Sequence, residues 1–391
     1  MIAEPAYERQ HIAEGAAAAL SRAWQASVSL VDVTALSDER RRNLILRATA
    51  LRDGAPPRSI IVKATRAADF DAMATNAFEE SGLVKEWAAV AFLAGHAPNG
   101  AHCPDFLAGD AALGLVVFED LGANLGSLVG PLLDGPADSA RQALIAYAAC
   151  LGRLHADTLG CTADHTAALR RFFPASAAPP PVGGVKWRRE VVAKVHTLLG
   201  GTIVDDEITI VAERMARPGA WLGLAHRDAC PDNVLMIDGR ARLLDFEFAG
   251  PGHILLDAAY WRMGFPTCWC AGRVPKDVQV AMDDAYRQAL AAALPEAGDE
   301  TAFIQEMAVL LFTRMFASLS WLLEGALKED MKWGISTYRS RLLWHLEAAA
   351  DGARAAGVFN GLRDVAVRWR MDLGNRWPEV QPLALYPAFV S

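Results

Sequence analysis

The run His226-Arg227-Asp228-Ala229-Cys230-Pro231-Asp232-Asn233 and the later Leu243-Leu244-Asp245-Phe246-Glu247 combine residue types that serve one chemistry. They supply an aspartate, an asparagine five residues on, and a second aspartate twelve residues after that. Phosphoryl transfer from ATP uses such a set. One carboxylate accepts the proton of the attacking hydroxyl, while an amide oxygen and a second carboxylate hold the magnesium ion that bridges the phosphates. His-x-Asp alone is common by chance. The full pattern at this spacing, ending in Asp-Phe-Glu, is far more specific.

The segment between the two halves predicts how they are carried. Val234 to Ile237 is apolar and partly branched, Asp238-Gly239 follows, and Arg240 to Leu244 completes the run. Asp-Gly between short apolar runs is a hairpin signal, because the tight turn needs positive φ at both central residues. Counting outward sets Ile237 against Arg240 and Asn233 against Leu244. Asn233 and Asp245 then leave the hairpin at the same end, as two oxygen ligands of one hard cation should. Strict alternation would aim them at opposite faces, so the chain must leave the strand at one end to re-aim a side chain.

Composition bounds the rest. A chain of 391 residues is too long for one typical core and predicts two or more domains. The net charge of -8, with no basic tract, argues against a nucleic-acid partner; it suits a cationic substrate only weakly. Glu4, Glu8, Arg9 and Glu14 interrupt any signal-peptide pattern. The apolar run from Met307 to Leu323 carries Arg314 and reads as a buried helix, not a membrane span. Of six scattered cysteines, Cys268-Trp269-Cys270 holds the only close pair. Without a second pair or a histidine cluster, reduced thiols in a cytoplasmic protein are the expectation, and no zinc site. Nothing here sets an oligomeric state.

Positioning elements can be placed along the chain. Helical spacing covers Ala13 to Gln25, and strand-like runs cover Ser27 to Val33, Asn43 to Thr49, Ser59 to Lys63 and Gly114 to Phe118. Between the last two, Asn76 to Leu93 reads as one helix containing Glu86, about two dozen residues after Lys63. A strand-end lysine can hold the α- and β-phosphates, and a helix glutamate can hold that lysine. Glu119 to Gly122 would link two domains, residues 1–121 and 122–391, with backbone groups of Glu119 and Leu121 meeting the adenine edge. After it come mostly helices: Ser139 to His155, Asp277 to Leu294, Glu300 to Leu327 and Ser336 to Ala356, with a Pro/Ala/Gly loop at Pro174 to Gly184. The span from Ala35 to Asn43, where a glycine-rich phosphate loop would lie, has no glycine. Ser37 and one of its arginines are the candidates to contact phosphate instead.

With Leu151-Gly152-Arg153-Leu154-His155-Ala156 and Leu256-Asp257-Ala258-Ala259-Tyr260 added, the pattern resembles the aminoglycoside phosphotransferase family, which shares its kinase-like fold with choline and ethanolamine kinases. The resemblance spans roughly Ile60 to Arg262 and is most specific in its second half. It implies an α+β, bilobal, protein-kinase-like fold, with a small N-lobe of five antiparallel strands plus a helix, a large mainly helical C-lobe, and ATP bound between them. It makes Asp228 the catalytic base, Asn233 and Asp245 the magnesium ligands, and Lys63 with Glu86 the phosphate-positioning pair. His226 would support the loop and Asp257 would brace it. Glu247 departs from the protein-kinase Asp-Phe-Gly and no Ala-Pro-Glu follows, which argues against a protein kinase. Arg227 stands where aminoglycoside kinases often have glycine, and Cys230 where protein kinases have lysine.

The expected activity is ATP-dependent phosphorylation of a small-molecule hydroxyl, on an aminoglycoside, a choline-like alcohol or a sugar. A nucleotide-binding pseudokinase and, less favoured, a protein kinase are the alternatives. Trp261, Trp269, Trp321, Trp333 and Trp344, with Glu324, Glu329 and Asp330 among them, offer aromatics and acids for an amine. Large aromatics at helical spacing are more often core.

Overall fold

The structure is a computed structural model that describes residues 5–38, 40–96, 102–177, 185–200 and 204–390. In chain order the principal elements are α1 (Pro5–Trp24), β1 (Val28–Ala35), β2 (Asn43–Arg52), β3 (Arg58–Thr65), α2 (Ala77–Glu80), α3 (Gly82–His96), β4 (Phe106–Asp110), β5 (Leu115–Glu119), α4 (Val129–Leu133), α5 (Ala137–Asp157), α6 (Thr162–Phe172), α7 (Val185–Leu199) and α8 (Asp205–Ala216). There follow β6 (Leu222–Ala225), β7 (Val234–Ile237), β8 (Arg240–Leu243), β9 (Gly250–His253), α9 (Leu255–Arg262), α10 (Lys276–Ala291), α11 (Glu300–Lys328), α12 (Tyr338–Ala356) and α13 (Asn360–Arg376). An antiparallel five-stranded sheet early in the chain and a mainly helical remainder make the α+β class that the sequence predicts.

The chain divides into two compact units. The first is Met1–Leu125 with Thr162–Pro179 and Leu243–Gly250; the second is Gly126–Cys161, Pro180–Arg242 and Pro251–Ser391. A single cut at 121/122 therefore misses two excursions. The segment with Asp-Phe-Glu belongs to the first unit, and so does α6, which packs on α3.

In the first unit the strand order is β1-β2-β3-β5-β4. Along β2, Leu44, Leu46, Ala48 and Ala50 are buried in alternation, the period-two signature of a strand with one core face. That face joins Ile60, Val62, Leu115 and Val117 under the small residues Ala16 and Ala19 of α1. The predicted helix from Asn76 to Leu93 is broken at Ser81, whose backbone is extended. β4, unread in the sequence, contains Gly109. A Cβ there would sit 2.2 Å from the Trp87 ring, so the strand gives up a side chain to seat a tryptophan that also packs on Phe106, Phe172 and Phe173. Of the expected loop at Pro174 to Gly184, residues 178–184 lie outside the described residues.

In the second unit α5 packs on α10 and α11 packs on α12. Gly152 permits the first contact, since a Cβ there would lie 2.6 Å from the Tyr286 carbonyl oxygen. α11 is long and apolar enough to cross a membrane, but 83% of its most apolar stretch is buried, as in a core helix. Asp299 caps it by accepting the N–H groups of Thr301 and Ala302.

Candidate active site

In the second unit β6 leads into the loop that begins at His226. Asp257, fully buried on α9, receives that loop: its Oδ2 accepts the His226 N–H at 2.6 Å and its Oδ1 the Arg227 N–H at 2.7 Å. His155 Nε2 lies 3.2 Å from Asp257 Oδ2, and its Nδ1 lies 2.8 Å from the Tyr286 hydroxyl. Burial alone would raise the pKa of this carboxyl. The hydrogen bond and charge of His155, with His226 and Arg314 behind, outweigh it and hold Asp257 below the usual carboxylate range. The side chain of His226 is buried beneath the loop.

Two arginines complete the bracing. Arg314, read in the sequence only as a charge interrupting an apolar run, donates from α11 to the carbonyls of Leu256 at 3.1 Å and Arg227 at 3.2 Å. Arg227 adopts φ 69°, the left-handed region where glycine is at ease and a side chain is strained. Its guanidinium turns inward to the Pro251 carbonyl at 2.8 Å. Burial pulls its pKa down to about 10 although Asp257 opposes the shift.

Asp228 is half-buried. Its Oδ1 accepts from Thr267 at 2.8 Å, Tyr260 at 2.9 Å and the Cys230 thiol at 3.3 Å, and the two hydroxyls touch each other. Among the described residues these bonds all fall on Oδ1 and none on Oδ2. Tyr260 stood in a recognised motif, but nothing near Thr267 marked it. Asn233 lies in a short 3-10 turn and donates from its amide nitrogen to the Asp228 carbonyl at 3.0 Å, which orients the amide oxygen the other way. Asp238 and Gly239 have φ 48° and 74°, the turn predicted for the β7-β8 hairpin.

The first unit holds the remaining predicted residues. Lys63 Nζ lies 2.6 Å from Glu86 Oε2 and 2.5 Å from Asp245 Oδ1. Burial pulls the Lys63 pKa down, but the charges of Glu86 and Asp245 more than reverse this and carry it above the ordinary lysine value. Burial raises the Glu86 carboxyl, against the pull of Lys63. Asp245 has φ 61°, so the chain does leave strand geometry where the side chain must be re-aimed. Carboxylate and amide oxygens are hard donors, so Asp245 and Asn233 each fit a magnesium ion by chemical type.

The glycine-free loop is built from side chains. Ser37 accepts the Ile45 N–H at 3.0 Å, tying the loop to β2, and Arg66 donates to the carbonyls of Asp38 and Arg41. Arg42 is the arginine that reaches the motif: it pairs with Glu247, and its side chain stays 62% exposed. Gly82 gives Glu247 room, because a Cβ there would come 3.1 Å from the glutamate Cβ.

Glu119 ends β5 and gives its N–H to the Asp105 carbonyl at 2.9 Å; Leu121 is half-buried. Between them Asp120 accepts from Arg47 Nε at 2.8 Å and Ser59 at 2.6 Å. Burial alone would raise the Asp120 pKa, but these hydrogen bonds hold it below its ordinary value. The tryptophans and acids that offered an amine pocket as the less favoured reading are largely occupied. Arg341 covers Trp333 and Arg273 covers Trp344, Trp261 donates to Asp283, Glu324 pairs with Lys194 and Lys328, and Asp330 accepts the Arg339 N–H. The cation positions over two rings are thus taken by the chain's own guanidinium groups.

No family model matches the sequence, and no curated protein matches it. Solved structures similar to this chain include a choline/ethanolamine kinase family protein from Mesorhizobium loti, at 15% identity over 87% of this chain and 93% of that one, with a TM-score of 0.43. A choline kinase from Cryptosporidium parvum aligns at 11% identity over 84% and 91%, with a TM-score of 0.49. A thermostable mutant of an aminoglycoside phosphotransferase aligns at 14% identity over 87% and 99%, with a TM-score of 0.37.

Proposed function

We propose that the protein is an ATP-dependent phosphotransferase that moves the γ-phosphoryl group to a hydroxyl of a small molecule. The observation that carries this reading is Lys63, an ammonium left 8% exposed between Glu86 and the aspartate of Asp-Phe-Glu. Burying a lysine is costly unless it is paired, and a lysine held by two carboxylates is kept charged for an anionic ligand.

In this reading Oδ2 of Asp228 takes the proton of the acceptor hydroxyl, while Tyr260 and Thr267 fix the carboxylate through Oδ1. General-base help of this kind is worth about 10²- to 10⁴-fold. Lys63, held by Glu86, binds the α- and β-phosphates, and Arg42 offers an exposed guanidinium to the terminal phosphate in place of glycine backbone. The backbone at Glu119 and Leu121 meets the adenine edge. Magnesium, when bound through Asn233 and Asp245, neutralises charge on the phosphate oxygens. Asp257, with Arg314, sets the loop. His226 supports it from below. Most of the acceleration then comes from positioning and fixed charge, because the transition state is loose. The first unit takes the nucleotide and the second the acceptor.

Thermal unfolding with ATP, with and without magnesium, followed by an ATP-coupled panel of amino alcohols, aminoglycosides and sugars with mass detection of the product, tests the reading. Magnesium-dependent stabilisation by ATP and one acceptor gaining a phosphoryl group are expected. ATP binding without transfer to any acceptor would return the pseudokinase alternative.

A further inference from the structure

The geometry points to a second metal site, separate from the proposed magnesium ligands: Cys230, Asp232 and Cys268, with Cys270 beside them, bind a thiophilic divalent ion, zinc being the best fit. The three first-named side chains bring their donor atoms within 4.8 Å of one another. Cys268 Sγ lies 3.4 Å from Asp232 Oδ1 and 3.1 Å from Cys270 Sγ. A tetrahedral zinc ion with sulfurs at about 2.3 Å sets neighbouring sulfurs about 3.8 Å apart, so small side-chain movements complete the shell. Thiolates with one carboxylate suit zinc over magnesium or calcium. The sequence shows only Cys-Trp-Cys because the other two ligands come from the loop that carries Asp228.

Arg341 gives an independent observation. It is fully buried, and among the described residues its guanidinium donates to the carbonyls of Pro266, Cys268 and Trp333, while Nε finds no partner there. Among the described residues the acidic groups that act on its charge are Cys268, Cys270, Tyr260 and Tyr386, and no carboxylate is among them. A buried guanidinium needs a counter-charge. Zinc with two thiolates and one carboxylate carries a net charge of about -1, and a third thiolate makes it about -2, by ligand type alone. The cluster therefore supplies what Arg341 lacks, next to the Cys268 carbonyl that Arg341 already holds at 2.8 Å. Asp232 is exposed and accepts from Trp269 Nε1 at 3.1 Å, so this carboxylate forms the mouth of the site. On binding, each cysteine ligand releases its thiol proton to solvent and becomes a thiolate; no electrons move. Cys230 would turn from Asp228 Oδ1 toward the metal, linking occupancy to the carboxylate proposed as base.

Full-length protein, reduced and stripped with a chelator, is titrated with Co²⁺ as the probe. The expected result is one tetrahedral cobalt per chain with a thiolate-to-cobalt absorption band, displaced by one equivalent of Zn²⁺. Cys268→Ser should abolish the band. Asp232→Asn, at an exposed position where folding is not at stake, should weaken binding at least tenfold. Absence of the band in the reduced protein, or a band and affinity unchanged in both variants, overturns the site. So does a Cys268–Cys270 disulfide found by mass that forms equally fast with and without Zn²⁺. None of these readouts uses kinase activity, so failure here is distinct from failure of the proposed function.

Discussion

Replacing Asp257 with asparagine tests the architecture of the loop most sharply. The carboxylate accepts the His226 and Arg227 N–H groups on separate oxygens and faces His155 Nε2, all in a fully buried position. The amide keeps the shape but turns one acceptor into a donor, so in either orientation its NH₂ meets a backbone N–H. The change loses a charge-assisted hydrogen bond, about 1.5–3 kcal/mol, and leaves a buried donor unsatisfied, about 1–3 kcal/mol. A destabilisation of about 2.5–6 kcal/mol follows. The pH dependence has a definite sign. The folded pKa of Asp257 lies below its unfolded value, so its contribution is complete above about pH 4 and fades as pH falls through the folded value. Urea unfolding of Asp257→Asn and wild type should thus differ by a constant amount from pH 5 to 8, and the gap should close in stronger acid. A loss under 1 kcal/mol, or a gap that widens on acidification, would refute the bracing argument.

Gly152→Ala should cost about 1–3 kcal/mol by forcing α5 from α10, because the added methyl would lie 2.6 Å from a backbone oxygen that cannot yield alone; chemical denaturation measures this. Arg42→Ala should leave stability within about 1 kcal/mol, since its ion pair with Glu247 is exposed on the arginine side. The same variant should raise KM for ATP roughly tenfold, the worth of one charged contact of about 1.4 kcal/mol; steady-state kinetics decide, and an unchanged KM removes Arg42 from phosphate binding.

Features set by local rules were the legible ones. The Asp238-Gly239 turn announces itself because few residues accept positive φ twice in succession. β2 alternates cleanly, and α5, α10 and α11 have long apolar stripes. β4 was hidden because Gly109 weakens its strand character for the sake of Trp87, a contact between distant segments. α6 was hidden because only His165 and Leu169 are buried along it, too few to show a period. In the proposed site, Asp228, Asn233, Asp257 and the Lys63–Glu86 pair could be singled out as candidates from motif order. Thr267, Arg314 and Arg341 could not, because their work is to contact backbone and carboxylate groups brought near only by tertiary packing. The thiols of Cys230 and Cys268 likewise meet only in the fold.

The central claim, that Asp228 is the base of a phosphotransferase, is tested most directly by turnover of Asp228→Ala on the acceptor that wild type phosphorylates, with ATP affinity measured alongside. Loss of at least about 10²-fold in kcat, with ATP affinity within a few-fold of wild type, is the predicted result. Turnover retained near the wild-type rate would contradict it.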